Sequence, residues 1–316
     1  MKKKRLIGLG PGARRLVLAS VMAAGLLGGN ALTDRAYAAA DAGITPEQSS
    51  ALAQLNGIRA KLGLPSLKHN AHMSKAAKLH AEYYNANRGT TASLDAHREI
   101  KGLPGFRGIT VVDRLKASGW LPGPYGYMTG EVMHYEQASI KEAVEGWLDT
   151  AYHREIILSH RYQEVGMGLA KGTAVLDMAG PYDPAPIKGG IAVYPYDGMK
   201  NVGLGFYGLE NPNPIGTFHV KATGYIISAT TQKEMVWHQA RITDSNGREM
   251  PYFEELHGKD TLFLYPKSVL RSNHTYHVLL SYEMKGSPGK KQKKWSFTTG
   301  EASKQDIQAA SSAGTK

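Results

Sequence analysis

The hydrophobic period of this chain changes once, across PYDPAPIKGG (Pro181–Gly190), and that change bounds what the chain can fold into. Before it, apolar residues recur at the three-and-four spacing of helices. After it, apolar and polar residues alternate as they do in half-buried strands. The stretch itself is rich in Pro and Gly, carries no evident core residue and reads as a hinge. A chain of 316 residues has room for two domains on either side.

In the first half, TPEQSSALAQLNGIRAKLGL opens with a helix-start signal: Thr45 to cap, Pro46 at the first helical position, Gln48 three after the cap. Leu52, Leu55, Ile58 and Leu62 follow at helical spacing, and Gly63 ends the run. A second helix is expected over residues 74–88, with Ala76, Leu79, Tyr83 and Tyr84 inward. A third is expected over residues 139–158, with Ile140, Val144, Trp147 and Leu148 on one face. Residues 89–130 read as loops and short helices, and EVGMGLA and TAVLDMAG as strands. The first half is therefore α+β. In the second half, five alternating segments and the turn Ser245-Asn246-Gly247 predict a small β-sandwich over residues 188–300. Tyr276 stands in the place of its corner tyrosine. Residues 301–316 read as a disordered tail.

The N-terminus has a different character. Lys2, Lys3, Lys4, Arg5, Arg14 and Arg15 precede the apolar run Leu16–Gly29, and Ala36-Tyr37-Ala38 follows as a small-x-small cleavage site. Residues 1–38 thus read as a signal peptide cleaved after Ala38, the run being short for a bilayer span. Its removal leaves 31 basic against 26 acidic residues, a net charge of +5 in place of +11, so nucleic-acid binding loses its electrostatic support. No later run is long enough to span a bilayer, and a secreted chain is expected, free or held at a cell-wall polymer. There is no cysteine, which excludes thiolate catalysis and Cys-ligated zinc.

Phosphate loops, G-x-S-x-G and H-E-x-x-H are absent from the sequence, and the Ser159-His160 pair reads as a surface or loop feature. The tetrapeptide HREI occurs at residues 97–100 and again at 153–156, too short a match to count as a repeat. Glu131 lies between the two copies. A lone histidine at a helix–loop junction is usually a hydrogen-bonded structural residue. Two imidazoles and a carboxylate in one cleft, however, would supply an N,N,O set for zinc or a similar cation, with a position open to water. Arg114 and Arg154 read as buried ion-pair partners, Trp120 and Trp147 as core. Lys290-Lys291-Gln292-Lys293-Lys294 reads as a solvated hairpin tip; a contact to anionic wall polymers is the sharper alternative.

Taken in order, these pieces resemble a known family. Leu55–Ala81, His97, Val112-Asp113-Arg114-Leu115, Gly119, Gly130-Glu131, residues 147–158 and Val165-Gly166-Met167-Gly168 resemble the CAP superfamily in its bacterial, cysteine-free form, over residues 44–182. The resemblance implies a CAP-type α-β-α sandwich domain, followed by an all-β, Ig-like sandwich domain. It also implies a central cleft with His97, Glu131, Thr150 and His153, in which His97, His153 and Glu131 would hold Zn2+ or another divalent cation. Two departures stand out: Val132 follows Gly130-Glu131 where the family has asparagine, and Thr150 falls where eukaryotic members carry a second acid. Asp149, one residue earlier, would point elsewhere. The paired carboxylates of acid–base catalysis are thus incomplete, and a binding module for an extracellular ligand is expected. A metal-dependent hydrolase with Glu131 as its catalytic candidate, and a lipid carrier, are the alternatives.

Overall fold

The structure is a computed structural model that describes residues 17–19, 24–25, 43–90, 95–124, 126–303 and 306. The leader expected over residues 1–38 lies outside the described residues, except for the backbone of Val17–Ala19 and Ala24–Gly25, which pairs with one edge strand. Among the described residues no helix is long and apolar enough to cross a membrane.

Helix α1 (Pro46–Lys61) starts as its sequence dictates. The Thr45 side chain accepts from Gln48 N, and the Gln48 side chain accepts from Thr45 N, a complete capping box. Strand β1 (Lys68–His69) leads to helix α2 (Ala71–Ala86), which begins at an Asn70 cap three residues before the expected start. Ala76, Tyr83 and Tyr84 are buried as expected, together with Met73, Ala77, His80 and Ala81, while the expected Leu79 is only half-buried. Helix α3 (Val111–Ala117) precedes strand β2 (Tyr127–His134), so Gly130 and Glu131 lie inside a strand and not at a loop end.

The expected third helix is broken in two, α4 (Ile140–Leu148) and α5 (Tyr152–Ile157). Asp149 closes the first, and the Thr150 hydroxyl donates to Trp147 O at 2.9 Å instead of continuing the helix. Strands β3 (Glu164–Ala170) and β4 (Thr173–Pro181) complete a sheet in the order β2-β4-β3-β1, antiparallel except for β3 with β1. Helix α2 covers one face, so closely that a Cβ on Gly166 would lie 2.1 Å from Met73 C and one on Gly168 2.2 Å from Lys78 N. On the other face Val132, Leu176, Met178, Val165 and Met167 pack with Leu55 of α1, Val144 and Trp147 of α4 and Ile157 of α5. This is an α-β-α sandwich.

The Pro/Gly stretch is not a free hinge. Ile187 is buried, Lys188 N donates to Gly63 O at 2.8 Å, and Ile187 N donates to the Gln232 side chain at 2.5 Å. Beyond it lie β5 (Ile191–Tyr194), β6 (Met199–Val202), β7 (Ile227–Thr231), β8 (Met235–Asp244), β9 (Tyr252–His257), β10 (Thr261–Pro266), β11 (Thr275–Met284) and β12 (Ser287–Thr299). They form two four-stranded sheets, β9-β10-β7-β5 and β8-β11-β12-β6. Leu262, Leu264, Ile242, Val278, Trp295 and Phe297 fill the space between, in one apolar core that continues into Leu158, Trp147 and Leu55 of the first domain. The Tyr276 hydroxyl accepts from Arg271 N at 2.9 Å, the expected corner.

Two turn expectations are corrected. Ser245-Asn246-Gly247 does turn, with Asp244 accepting from Asn246 N and Arg248 N at 2.9 Å. After the bridge Thr243–Glu249, however, the chain crosses to the other sheet, so β8 and β9 are not a hairpin. The lysine run is not a tip either. The hairpin turns at Lys285-Gly286, where Gly286 has a φ of 68°, and the lysines lie within β12, Lys291 opposite Tyr282 and Lys293 opposite Leu280. Of the expected tail, Asp306 is described. It is buried and takes a hydrogen bond from Tyr207, which ties it to the domain.

Candidate functional site

Glu131 on β2 stands directly opposite Asp177 on β4, and both are fully buried, on the strand face that carries Met133 and Val175 toward α2. A charge there requires partners. Arg114 of α3 donates from Nη2 to Glu131 Oε2 at 2.5 Å and from Nη1 to His97 O at 3.1 Å. The His97 ring, in the segment after α2, places Nδ1 2.9 Å from Glu131 Oε1. Burial alone would push Glu131 up. Arg114 first, then His80 and His97, reverse that and hold it well below the usual carboxylate range. Arg114 is in turn raised, its burial outweighed by Glu131 and the neighbouring acids. Asp177 goes the other way: burial first, and the Glu131 charge second, push it well above the usual carboxylate range.

His80 of α2 completes this cluster. Its Nδ1 lies 3.0 Å from Glu99 Oε1, its Nε2 lies 2.8 Å from Ala96 O and 3.7 Å from Glu131 Oε1. Glu99 Oε2 accepts from Arg107 N at 2.5 Å and Gly108 N at 3.3 Å. His80 therefore has an acceptor at each ring nitrogen, the pattern of a structural histidine, whereas His97 Nε2 is buried with no hydrogen-bond partner.

His153, at the start of α5, has a different set of partners. Its Nδ1 lies 2.7 Å from Glu210 Oε1 and 3.3 Å from Thr150 Oγ1, and its Nε2 is buried with no hydrogen-bond partner. Glu210 lies in the segment between β6 and β7, where Glu210–Asn211 pairs in parallel with Val17–Leu18 at the β2 edge of the CAP sheet. Its oxygens also accept from Ala151 N at 2.8 Å, Tyr152 N at 2.8 Å and His153 N at 2.9 Å, so they close the N-terminus of a helix whose own cap residue, Ala151, has no side chain to do so.

The two HREI copies thus do different work. In the first, His97 and Glu99 enter the buried cluster, while Arg98 makes an exposed pair with Asp95 at 3.8 Å. In the second, every side chain of His153-Arg154-Glu155 docks the second domain. Arg154 is buried against the Tyr194 and Tyr225 rings, at 4.6 and 5.1 Å. It donates to Leu148 O at 2.6 Å and Ile226 O at 2.7 Å, so carbonyls and rings hold it and not the expected acid. Glu155 lies 2.7 Å from His257 Nδ1. Trp120 and Trp147 are core, as expected, and Ser159-His160 lies in the loop after α5, buried there and not at the surface.

Of the four expected cleft residues, the structure joins His97 to Glu131 and Thr150 to His153. It adds His80, Glu99, Asp177 and Glu210. Asp177 had a signal in the sequence, a lone acid inside the apolar strand TAVLDMAG. Ala151, a poor helix start, was the only trace of Glu210.

The profile of the Cysteine-rich secretory protein family, CAP, matches residues 52–178, a span that holds His80, His97, Glu99, Arg114, Glu131, Thr150, His153 and Asp177 but not Glu210. Residues 52–178 are a CAP domain. No curated protein matches the chain. Among solved structures the chain is similar to an extracellular protein containing a SCP domain from Bacillus anthracis, with 20% identity and a TM-score of 0.33. That match covers 44% of this chain and 45% of that one, so the chain spans less than half of the length of that relative. It is also similar to CopC from Methylosinus trichosporium, with 12% identity, 34% of this chain and 88% of that one, and a TM-score of 0.25. A third, PcoC, a copper resistance protein from Escherichia coli, has 10% identity, 34% of this chain and 94% of that one, and a TM-score of 0.25. Likenesses this low carry no fold or ligand assignment.

The CAP domain does not gather the expected N,N,O set. Both Glu131 oxygens are engaged, one by Arg114 and one by His97, and among the described residues no three His, Asp or Glu side chains are grouped to hold a cation. A surface hollow of ≈ 400 Å³ lies elsewhere, on the outer face of the sandwich between Asp197, Arg241, His277 and Lys294. Its lining mixes these charged groups with Val278, Leu279 and Trp295.

Proposed function

We propose that this is an exported binding module whose CAP cleft holds a ligand through the imidazoles of His97 and His153 and does not turn it over. One observation carries this reading. Each of these rings has its Nδ1 tied to a carboxylate and its Nε2 buried without a partner, while the carboxylates themselves are fully engaged. A general base must reach the proton that it removes, and a Glu131 clamped by Arg114 and His97 is poorly placed to do so. In the neutral ring, by contrast, the buried and unpartnered Nε2 has a lone pair for a ligand hydroxyl, ammonium or cation that displaces the packing around it. Wall polymers, rich in hydroxyl and amide donors, are the proposed ligand class, and the leader-like N-terminus supports export.

The test is sedimentation of the full mature chain with purified insoluble cell-wall fragments, beside the His97→Ala/His153→Ala variant. The parent is expected to sediment and the variant to stay in solution, with no soluble fragments released by either. Release of fragments by the parent, lost in a folded Glu131→Gln variant, would replace this reading with hydrolysis. Extractable lipid that copurifies would replace it with a carrier.

A further inference from the structure

Glu210 is buried beside α5 although it lies in the segment between β6 and β7, and four hydrogen bonds converge on its carboxylate. Three of them are backbone amides, which a carboxylate can only accept. The fourth, at 2.7 Å, is the shortest, and it goes to the His153 ring. Because Oε1 already accepts from Tyr152 N and His153 N, the ring nitrogen facing it must donate, and the proton is fixed on Nδ1. Of the CAP domain's own side chains, Thr150 is the one at this nitrogen. It is farther, at 3.3 Å, and its own proton is directed to Trp147 O. A histidine held for structure alone would fill both nitrogens, as His80 does.

We propose that Glu210 is a positioning residue by which the second domain sets the tautomer and aim of a cleft histidine, so that the cleft is complete only when the two domains are docked. The arrangement mirrors Glu131 with His97: each cleft imidazole is held at Nδ1 by a carboxylate, and in each Nε2 is the nitrogen left to a ligand. One carboxylate comes from β2 and the other from the segment between β6 and β7 that runs along the edge of the same sheet. This deepens the binding reading above and rests on it only for the use made of His153.

The test reads the ring itself and needs no ligand. Long-range proton–nitrogen spectra of the labelled full chain, with the His153 signals assigned through His153→Gln, are expected to show the ring protonated at Nδ1 near neutral pH. In Glu210→Ala the ring should shift to the Nε2–H form common for an unconstrained histidine. Adding Thr150→Asp to that variant should restore the Nδ1–H form without restoring protection of the α5 amides. Should Glu210→Ala fail to fold, Glu210→Gln keeps one accepting oxygen without the charge, and its Nδ1 proton should exchange with solvent about tenfold faster. A folded Glu210→Ala in which His153 keeps its Nδ1 proton, or a Glu210→Gln with unchanged exchange, would overturn the proposal and leave Glu210 a helix cap. Failure of the wall-binding experiment would not touch either result.

Discussion

Arg154→Ala is expected to unfasten the two domains. The guanidinium makes two charge-assisted hydrogen bonds, to Leu148 O and Ile226 O, each worth about 1.5–3 kcal/mol, and lies against two tyrosine rings at about 0.5–2 kcal/mol each. Against this stands the cost of burying the charge, which the variant recovers. Because Nη2 is also buried without a hydrogen-bond partner, the net loss is well below that gross sum, about 1–3 kcal/mol. Arg98, in the other HREI copy, supplies the contrast. Its partner Asp95 is 3.8 Å away and both side chains are more than half exposed, so Arg98→Ala should stay within about 1 kcal/mol of the parent. The assay is urea unfolding followed by tryptophan fluorescence. Trp120 and Trp147 report on the CAP domain, Trp237 and Trp295 on the sandwich, and two variants each retaining one pair separate the signals. In the parent both pairs should report one transition, because the core is continuous. In Arg154→Ala the midpoint should fall and the two transitions should part. A loss no larger than that of Arg98→Ala, or separate transitions in the parent, would refute the reasoning.

Gly168→Ala places a methyl group 2.2 Å from backbone that cannot yield, and should cost about 3 kcal/mol or more in chemical denaturation. Gly57→Ala, within α1 with nothing inside 4 Å, should instead stabilise by about 0.5–1 kcal/mol. The buried His160 is pushed down to about 4 by burial and then by Arg161 and Arg59. The unfolded chain takes up that proton near pH 6.5, the folded protein only near 4, so stability falls as pH drops through this window, by up to about 3 kcal/mol. His160→Gln should flatten the loss measured by urea midpoints between pH 7 and 4.5, and equal losses in both proteins would sink the assignment.

What the sequence made legible is what neighbours along the chain decide. The Thr45/Gln48 cap, the alternating strands beyond the Pro/Gly stretch and the Tyr276 corner all rest on local pattern and are found in the structure. The misses are contacts between distant segments. Residues 139–158 have helical period throughout, yet the helix breaks because Glu210 can close a new helix at Ala151. Ile187 looked like part of a linker until Gln232 and the sandwich covered it. At the site, His97 with Glu131 followed from the family pattern. His80 was missed because its neighbour Leu79 reads as the inward residue of that turn, and Glu210 because it lies in the segment between β6 and β7.

A single missing side chain governs a charge in this protein. Gly166 is the cross-strand neighbour of Asp177, and its bare Cα lets the backbone of α2 descend onto the sheet at Met73 and Ser74. A helix so close leaves no layer of solvent between itself and the strands, and the local medium around the Asp177 carboxyl is protein on every side. In such a low-dielectric setting Arg114 balances the charge on Glu131, while burial and that neighbouring charge push Asp177 up. The burial that raises a β-strand aspartate thus depends on a residue of the next strand having no side chain to hold the helix away.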